Sequence, residues 1–327
     1  MMTLMTRAVL AVLAALTALA ILAIRATPAL AAWPEKPIKV FVGYAPGGST
    51  DVVARLLSSR LGERLGQPIV IENKPGGAGD FAAELMLHAP PDGYTLLMTT
   101  VAVHAINPGL MKQKFHPLDD FTPVAMVCSY PMIMIGSPQT RFKTLAELKD
   151  LAAKTPTFYS SSGIGSPGHL AGELLVKSLN ADITHVPYKG GAPSVLAVMS
   201  GEAQVNFATL PAVVPQIRGG KVRAVGFASK ERNPAVPDVP TISELGLADF
   251  EVGTWTGFVG PKGLPADVVQ KIHSAVYEVV NDPAVRKRLI EEGAEIRLMT
   301  PAEFGAFMRS ENARWVKVVT DAGITPQ

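Results

Sequence analysis

The stretch IKVFVGYAPGGSTDVVARLLSSRLGERL, residues 38–65, predicts the fold class of this protein. Side chains from Ile38 to Val42 alternate as they do in a β-strand. From Asp51 to Leu65 the apolar residues fall on one face of a helix. A glycine turn, Gly47-Gly48, joins the two. A strand that runs through a glycine turn into a helix is typical of the start of a βαβ unit.

The same rhythm continues along the chain. Further strands are predicted at 69–71, 94–101, 158–160, 183–186, 205–207 and 222–228, with helices at 80–88, 168–179, 192–200 and 211–218. This alternation predicts an α/β protein with mostly parallel sheets covered by helices. Three helices then follow one another at 266–281, 283–292 and 301–319, and a tail of this kind is expected to pack back on the first sheet.

The length and this order predict two domains. We expect the chain to begin in domain 1, cross to domain 2 and return, with extended crossings near 127–134 and 252–261 acting as a hinge. The predicted boundaries are 32–128 with 257–327 for domain 1, and 129–256 for domain 2.

The first 31 residues are typical of a secretory signal peptide. Arg7 precedes an apolar run from Ala8 to Ile24, and Ala29-Leu30-Ala31 provides small residues before a cleavage site near Ala31. Export to the periplasm is therefore expected. Arg25 near the end of the apolar run fits less well and leaves an uncleaved N-terminal anchor as the alternative.

Charge and cysteine content exclude several classes of function. Of the 30 Lys and Arg residues two, Arg7 and Arg25, lie before Ala32, which leaves 28 against 28 Asp and Glu. A balanced chain has no basic footprint for nucleic acid. The single cysteine, Cys128, cannot form an intramolecular disulfide, and a buried inert thiol is expected.

Three glycine-rich turns follow predicted strands and open predicted helices: 44–51, 73–80 and 160–169. Glycine lets the backbone approach a ligand, and the N–H groups at a helix N-terminus favour an anion. Such turns lie beyond the carboxyl ends of the strands, where α/β proteins bind ligands. Because these turns contain no Arg and only Lys74, we expect neutral N–H groups and hydroxyls to hold a carboxylate. Tight turns without any ligand are the alternative.

Other chemistries have weaker support. The turns match neither a P-loop, nor a dinucleotide fingerprint, nor a G-x-S-x-G elbow. His169 and Glu173 have metal-ligand spacing on a helix, but one such pair is a weak signal. A secreted hydrolase using Ser162 or Ser166 with His169 remains an alternative to a binding protein. We expect no enzyme activity, no metal and no cofactor.

Several segments resemble the substrate-binding proteins of tripartite tricarboxylate transporters, the Bug or TctC family. The resemblance covers nearly the whole chain after the leader, and it is carried in order by 33–38, 46–51, 91–97, 104–108, 163–173, 186–191 and 237–241. It implies a two-domain periplasmic binding protein of the type II fold, each domain a mostly parallel sheet flanked by helices, joined by two hinge strands.

The resemblance also implies a function and a site. A small carboxylate (dicarboxylate, tricarboxylate or aromatic acid) would be captured between the domains for integral membrane transporter subunits. A sensor role toward a membrane signalling partner is the alternative, and a monomer is expected. The implied ligand-binding residues are Tyr44, Pro46, Gly47, Gly48, Ser49, Asp51, Gly77, Ala78, Thr99, His104, Ser161, Ser162, Gly165, Ser166, His169, Tyr188 and Ala208.

Two positions depart from the family pattern. Many relatives carry acidic residues where this chain has Gln204 and Ala208. If Ala208 faces the cleft, no carboxylate is available there for a ligand ammonium group, which predicts a ligand without an amino group. Tyr44 stands where phenylalanine is commoner and adds a hydroxyl near the site.

Overall fold

The strand–turn–helix rhythm of the sequence is also the rhythm of the folded chain. The computed structural model describes residues 33–140 and 142–322, and within these ranges the chain forms ten strands and ten α-helices. The predicted signal peptide and its cleavage site lie outside the described residues. Contacts group the chain from Lys36 onward into one compact unit. No helix of the described ranges is long and apolar enough to span a membrane.

Nine of the ten strands lie in segments predicted to be extended, and the two-residue strand β10 was not predicted. They are β1 (Ile38–Val42), β2 (Ile69–Asn73), β3 (Thr95–Thr100), β4 (Phe121–Gly136), β5 (Thr157–Ser161), β6 (Ile183–Pro187), β7 (Val205–Ala208), β8 (Arg223–Ala228), β9 (Gly253–Pro261) and β10 (Glu295–Ile296).

The helices also follow the predicted order. They are α1 (Ser49–Leu65), α2 (Asp80–Leu87), α3 (Asn107–Leu110), α4 (Leu145–Ala152), α5 (Pro167–Leu179), α6 (Gly191–Ser200), α7 (Leu210–Arg218), α8 (Ala266–Asn281), α9 (Pro283–Glu291) and α10 (Pro301–Ala322). One turn of π-helix, Ala102–Ile106, leads into α3.

The strands form two sheets that share β4. The first has the order β2-β1-β3-β9-β4, with β10 also paired to β4. In the second, β4 lies between β8 and β7, and β5 and β6 continue beyond β7. Pairs within the βαβ units are parallel (β1 with β2 and β3, β5 with β6 and β7), whereas β4 and β9 pair antiparallel with their neighbours.

The strand β4 passes from one sheet to the other part-way along its length. From Phe121 to Pro131 it pairs with β9, and from Met132 to Gly136 it pairs with β8. Both extended crossings expected from the sequence are therefore long strands. We call the first sheet with α1–α3 and α8–α10 the first lobe, and β5–β8 with α4–α7 the second lobe. The helical tail packs on the first lobe, since α8 and α10 both contact β4 and α8 contacts α1.

Two helical segments also differ from the sequence prediction. The helix α4 was not predicted, although Thr144 accepts a hydrogen bond from the N–H of Glu147, three residues on, as in a capping box. Residues 102–110 are helical, where no helix was predicted, and their apolar residues Val103, Ala105, Ile106 and Leu110 pack in the core.

Candidate ligand-binding site

The carboxyl ends of six parallel strands meet where the two lobes face each other. The first lobe contributes the loops after β1, β2 and β3, and the second contributes those after β5, β6 and β7. Between them lies a cavity of about 50 Å³. Residues from both lobes line it: Tyr44, Gly48, Ser49, Thr50, Thr100, Met132, Ser162, Pro167, Gly191, Ser194, Phe207, Ala208, Thr209, Ala212 and Thr254.

Three helices begin at this cavity without a side-chain cap. The residues before their first turns are Gly48 for α1, Gly190 for α6 and Thr209 for α7. At none of these positions does a side chain accept a hydrogen bond from the N–H groups of the helix. Each helix N-terminus carries roughly half a positive charge on unpaired N–H groups. Three of them together amount to about 1.5 charges aimed at one small volume. Among the described residues that line the cavity, none is charged.

The two lobes touch at the rim of the cavity, so the cleft is closed. The N–H of Ala45 donates a hydrogen bond to the carbonyl oxygen of Lys189 across the cleft, at 3.0 Å. A Cβ built on Gly190 would lie 2.8 Å from the Ala45 nitrogen, and one built on Gly48 would lie 3.6 Å from the Gly191 nitrogen. Gly190 therefore permits a backbone-to-backbone approach that a side chain would prevent, whereas Gly48 has room for a Cβ in ordinary contact.

Known proteins resemble this chain over most of its length. The family model described as the tripartite tricarboxylate transporter family receptor matches residues 53–324. The chain belongs to this family. Family members are periplasmic binding proteins that work with tripartite transporters.

Solved structures of similar proteins agree with the fold. The periplasmic binding protein BugD is 31% identical, with a TM-score of 0.86, over 90% of this chain and 100% of that chain. The R. palustris protein Rpa4515, solved with adipate, is 33% identical over 90% and 100% of the two chains, with a TM-score of 0.86. MatC from Rhodopseudomonas palustris, solved with bound malate, is 36% identical over 88% and 100%, with a TM-score of 0.83. The receptor has the two-domain type II fold of these periplasmic binding proteins.

Five of the residues expected from the sequence line the cavity of the receptor: Tyr44, Gly48, Ser49, Ser162 and Ala208. The Tyr44 hydroxyl donates to the carbonyl oxygen of Ala78 at 2.8 Å and lies 3.2 Å from the Thr100 hydroxyl. Burial raises the pKa of Tyr44 far above its ordinary value, so the hydroxyl stays protonated. Ala208 faces the cavity, as the argument against a ligand amino group requires.

Asp51 supports the first turn and does not line the cavity. Its carboxylate accepts hydrogen bonds from the Gly47 N–H at 2.9 Å, from Asn73 at 2.8 Å and from Arg55 at 3.0 Å. Burial acts to raise the pKa of Asp51, but these hydrogen bonds outweigh it and hold the pKa below its ordinary value. The charge of the Asp51 carboxylate is therefore compensated by partners within the first lobe. Pro46 and Gly47 are exposed at the tip of this turn.

The residues of the third turn form their hydrogen bonds mainly within the second lobe. Ser166 caps α5 by accepting the His169 N–H, and His169 Nδ1 accepts the Gly165 N–H. Ser161 lies 2.7 Å from His185 Nε2, and the His185 ring stacks on that of His169. Burial lowers the pKa of His169 below its ordinary value and that of His185 to about 3, so both rings are neutral.

Among the described residues, the site lacks both a serine–histidine pair arranged for hydrolysis and a group of metal ligands. Of the two serines considered for a hydrolase, Ser166 is fully buried and does not line the cavity, whereas Ser162 does line it. The His169 ring accepts a hydrogen bond from the Gly165 N–H rather than from a serine hydroxyl. His169 Nε2 is 3.8 Å from Glu173 Oε1. Within residues 33–140 and 142–322, no three His, Cys, Asp or Glu side chains are grouped to hold a metal ion.

Thr99 and His104 lie in the core beneath the site. His104 Nδ1 is 2.5 Å from the Pro117 carbonyl oxygen, and because a carbonyl only accepts, Nδ1 carries the proton. His104 Nε2 then accepts from the Thr99 hydroxyl at 2.8 Å. Burial lowers the pKa of His104 to about 4, although the hydrogen bond to Pro117 opposes this.

The remaining predicted residues border the cleft outside the cavity lining. Ala78 adopts a left-handed conformation with φ 49° beside Gly77, in the loop after β2. Gly165 approaches Asn107 of the first lobe. Tyr188 donates its N–H to the Ser161 carbonyl and packs on the apolar core of the second lobe.

Several residues that line the cavity were not predicted. Thr209 and Ala212 open α7, Gly191 and Ser194 open α6, and Met132 and Thr254 come from the crossing strand β4 and the start of β9. The sequence Thr209-Leu210-Pro211 carries a helix-start signal, a cap-type residue followed by an early proline. That signal agrees with the helix predicted at 211–218, but it does not show that the start of α7 lies opposite Gly48.

A larger groove of about 620 Å³ lies along β4 and β9, lined by residues of both lobes. Its basic side chains are already paired with carboxylates: Lys230 with Glu251, Arg232 with Glu244, Arg297 with Glu295 and Arg314 with Glu311. This groove is larger, but its described residues offer no unpaired cation to an anion, whereas three uncapped helix N-termini meet at the smaller cavity, which is therefore the better candidate site.

Proposed function

We propose that this protein captures a small carboxylate in the closed cleft between its lobes and does no chemistry on it. The observation that carries the proposal is the convergence of three uncapped helix N-termini on a cavity whose lining residues are uncharged. Such N–H groups bind anions without a salt bridge. Relatives solved with adipate and malate support the same ligand class.

The lining also favours a particular kind of carboxylate. About 1.5 positive charges from the helix ends match one or two carboxylate groups better than three. With no acidic side chain among the described lining residues, a ligand ammonium group would be buried unpaired. The cavity enclosed by the two lobes is small, which favours a compact acid over a bulky one. We therefore propose a short carboxylate without an amino group.

The proposal includes the setting in which the protein works. We propose export to the periplasm with cleavage near Ala31, delivery of the ligand to integral membrane subunits of a tripartite transporter, and action as a monomer. We further propose the domain limits 32–128 with 257–327, and 129–256. The transfer of β4 between sheets, between Pro131 and Met132, supports a boundary close to 128.

A thermal-shift screen followed by calorimetry tests the function. The panel contains aliphatic mono-, di- and tricarboxylates, aromatic acids and, as controls, neutral sugars. A binding protein is stabilised by RT ln(1 + [L]/Kd), so a true ligand raises Tm as its concentration rises. We expect stabilisation by short dicarboxylates and no turnover of ester or amide substrates. Stabilisation by sugars alone, or hydrolysis of an ester, would overturn the proposal.

A further inference from the structure

One side-chain oxygen at the lobe contact has no hydrogen-bond donor. Asn107 is fully buried, and its Nδ2 donates to the Gly77 carbonyl at 2.9 Å and to Asp80 Oδ1 at 2.7 Å. Its Oδ1 has no partner. A buried acceptor without a donor is uncommon in folded proteins and calls for an explanation.

The second lobe covers this oxygen. A Cβ built on Gly165 would overlap Asn107 Oδ1, so the glycine Cα lies directly against it. The Gly165 N–H is not available as a donor, because it is directed to His169 Nδ1. Asn107 belongs to the first lobe and Gly165 to the turn after β5 in the second. Separation of the lobes would therefore remove the glycine from the oxygen and let water reach it.

Two opposing effects decide what this contact does. A Cα–H···O contact with Gly165 is weakly attractive. Loss of hydration at a buried carbonyl oxygen is more costly than such a contact is favourable. The net effect disfavours the closed cleft, whether or not a ligand is present.

We propose that Asn107 is a positioning residue that keeps the empty cleft open, because its side-chain oxygen loses its hydration when the turn at Gly165 closes over it. The inference rests on the proposed binding function. A ligand must then supply the free energy of closure, so that the closed form reports an occupied site.

The test removes the oxygen and measures closure directly. Nitroxide labels at Ser59→Cys and Ser200→Cys, exposed on α1 and α6, report the distance between lobes by pulsed electron resonance; Cys128 is buried and stays unlabelled. Asn107→Ala should raise the ligand-free closed-to-open ratio about 5-fold. With malate as the probe, it should slow dissociation by a similar factor.

A matched control separates this role from fold stability. Asn206 is also fully buried, donates to Ser160, and has an unpartnered Oδ1, but it lies within the second lobe. Asn206→Ala should leave the label distance unchanged, since its oxygen stays buried in both states. An unchanged distribution in Asn107→Ala, or the same shift in both variants, would overturn the inference.

A second variant tests the contact from the other side. Gly165→Ala adds a carbon that overlaps Asn107 Oδ1 and should reduce the closed population, and Asn107→Ala in the same chain should restore it. Gly66→Ala, at a similar φ of 75° with no atom within 4 Å of the new carbon, controls for backbone strain. Failure of the restoration would also overturn the inference. Because the label distances are taken without ligand, a wild type that binds no carboxylate would refute the proposed function only.

Discussion

Acid should destabilise this protein through His104, whose ring is completely buried between Phe121 and Trp255. The pKa of its imidazole is about 4 in the folded chain, against 6.5 for an unperturbed histidine. The folded state therefore binds this proton less tightly than the unfolded state. The free energy of unfolding should decrease as the pH falls below 6.5 and level off below 4.

The magnitude follows from the difference between the two pKa values. Each pKa unit corresponds to 1.36 kcal/mol, so between pH 7 and pH 4.5 the His104 contribution falls by about 2.5 kcal/mol. Urea unfolding at pH 7, 5.5 and 4.5 measures this for the wild type and for His104→Asn, which keeps a donor for Pro117 but does not titrate. The variant should start less stable and lose about 2.5 kcal/mol less on acidification.

One control distinguishes the titration of His104 from a general loss of protein stability. Phe121→Leu loosens the packing on the same ring, whose centroid is 4.7 Å away, but leaves the histidine in place. It should lower stability at pH 7 and retain most of the pH dependence. If His104→Asn lost stability on acidification as steeply as the wild type, the reasoning from burial would be refuted.

Three further predictions concern the site and its support. Gly48→Val should abolish binding but leave the fold intact. The backbone at Gly48, with φ −77°, tolerates a side chain, but the branched group would enter the gap to Gly191. Unchanged calorimetric affinity would contradict this. Glutamate should bind at least about 10-fold more weakly than glutarate, because Ala208 provides no carboxylate for the ammonium group and an unpaired buried charge is costly; equal affinities would remove that argument. Gly172→Ala should lower the free energy of unfolding in urea by about 1–3 kcal/mol, because its new carbon overlaps the Tyr159 ring. The order of preference among carboxylates should stay that of the wild type.

Much of the fold could be predicted because its signals are local. The alternation of Ile38–Val42 and the helical periodicity of α1 each lie within one segment, so the strand–turn–helix order follows from neighbouring residues. The first glycine turn was found for the same reason. Its place at the cavity follows from the general rule that ligands bind beyond the carboxyl ends of parallel strands.

The rest of the site depends on partners distant in sequence. A hydroxyl in a turn can face a ligand or satisfy the backbone, and Ser166 does the second because the His169 N–H lies within reach. Likewise, Thr209 and Met132 reach the cavity only because β4 and β7 pair there. A single sequence shows neither which donor each hydroxyl will meet nor which loops will lie opposite each other.

Because β4 belongs to both sheets, the stability of each lobe depends on that of the other. Breaking β4 anywhere between Phe121 and Gly136 would remove a partner from β9 or from β7 and β8, so neither sheet could survive the loss of its neighbour intact. We therefore expect the receptor to unfold in one transition, which coincident changes in tryptophan fluorescence and far-ultraviolet circular dichroism would show. The same sharing means that movement between the lobes is a twist of continuous backbone rather than the swing of a flexible linker.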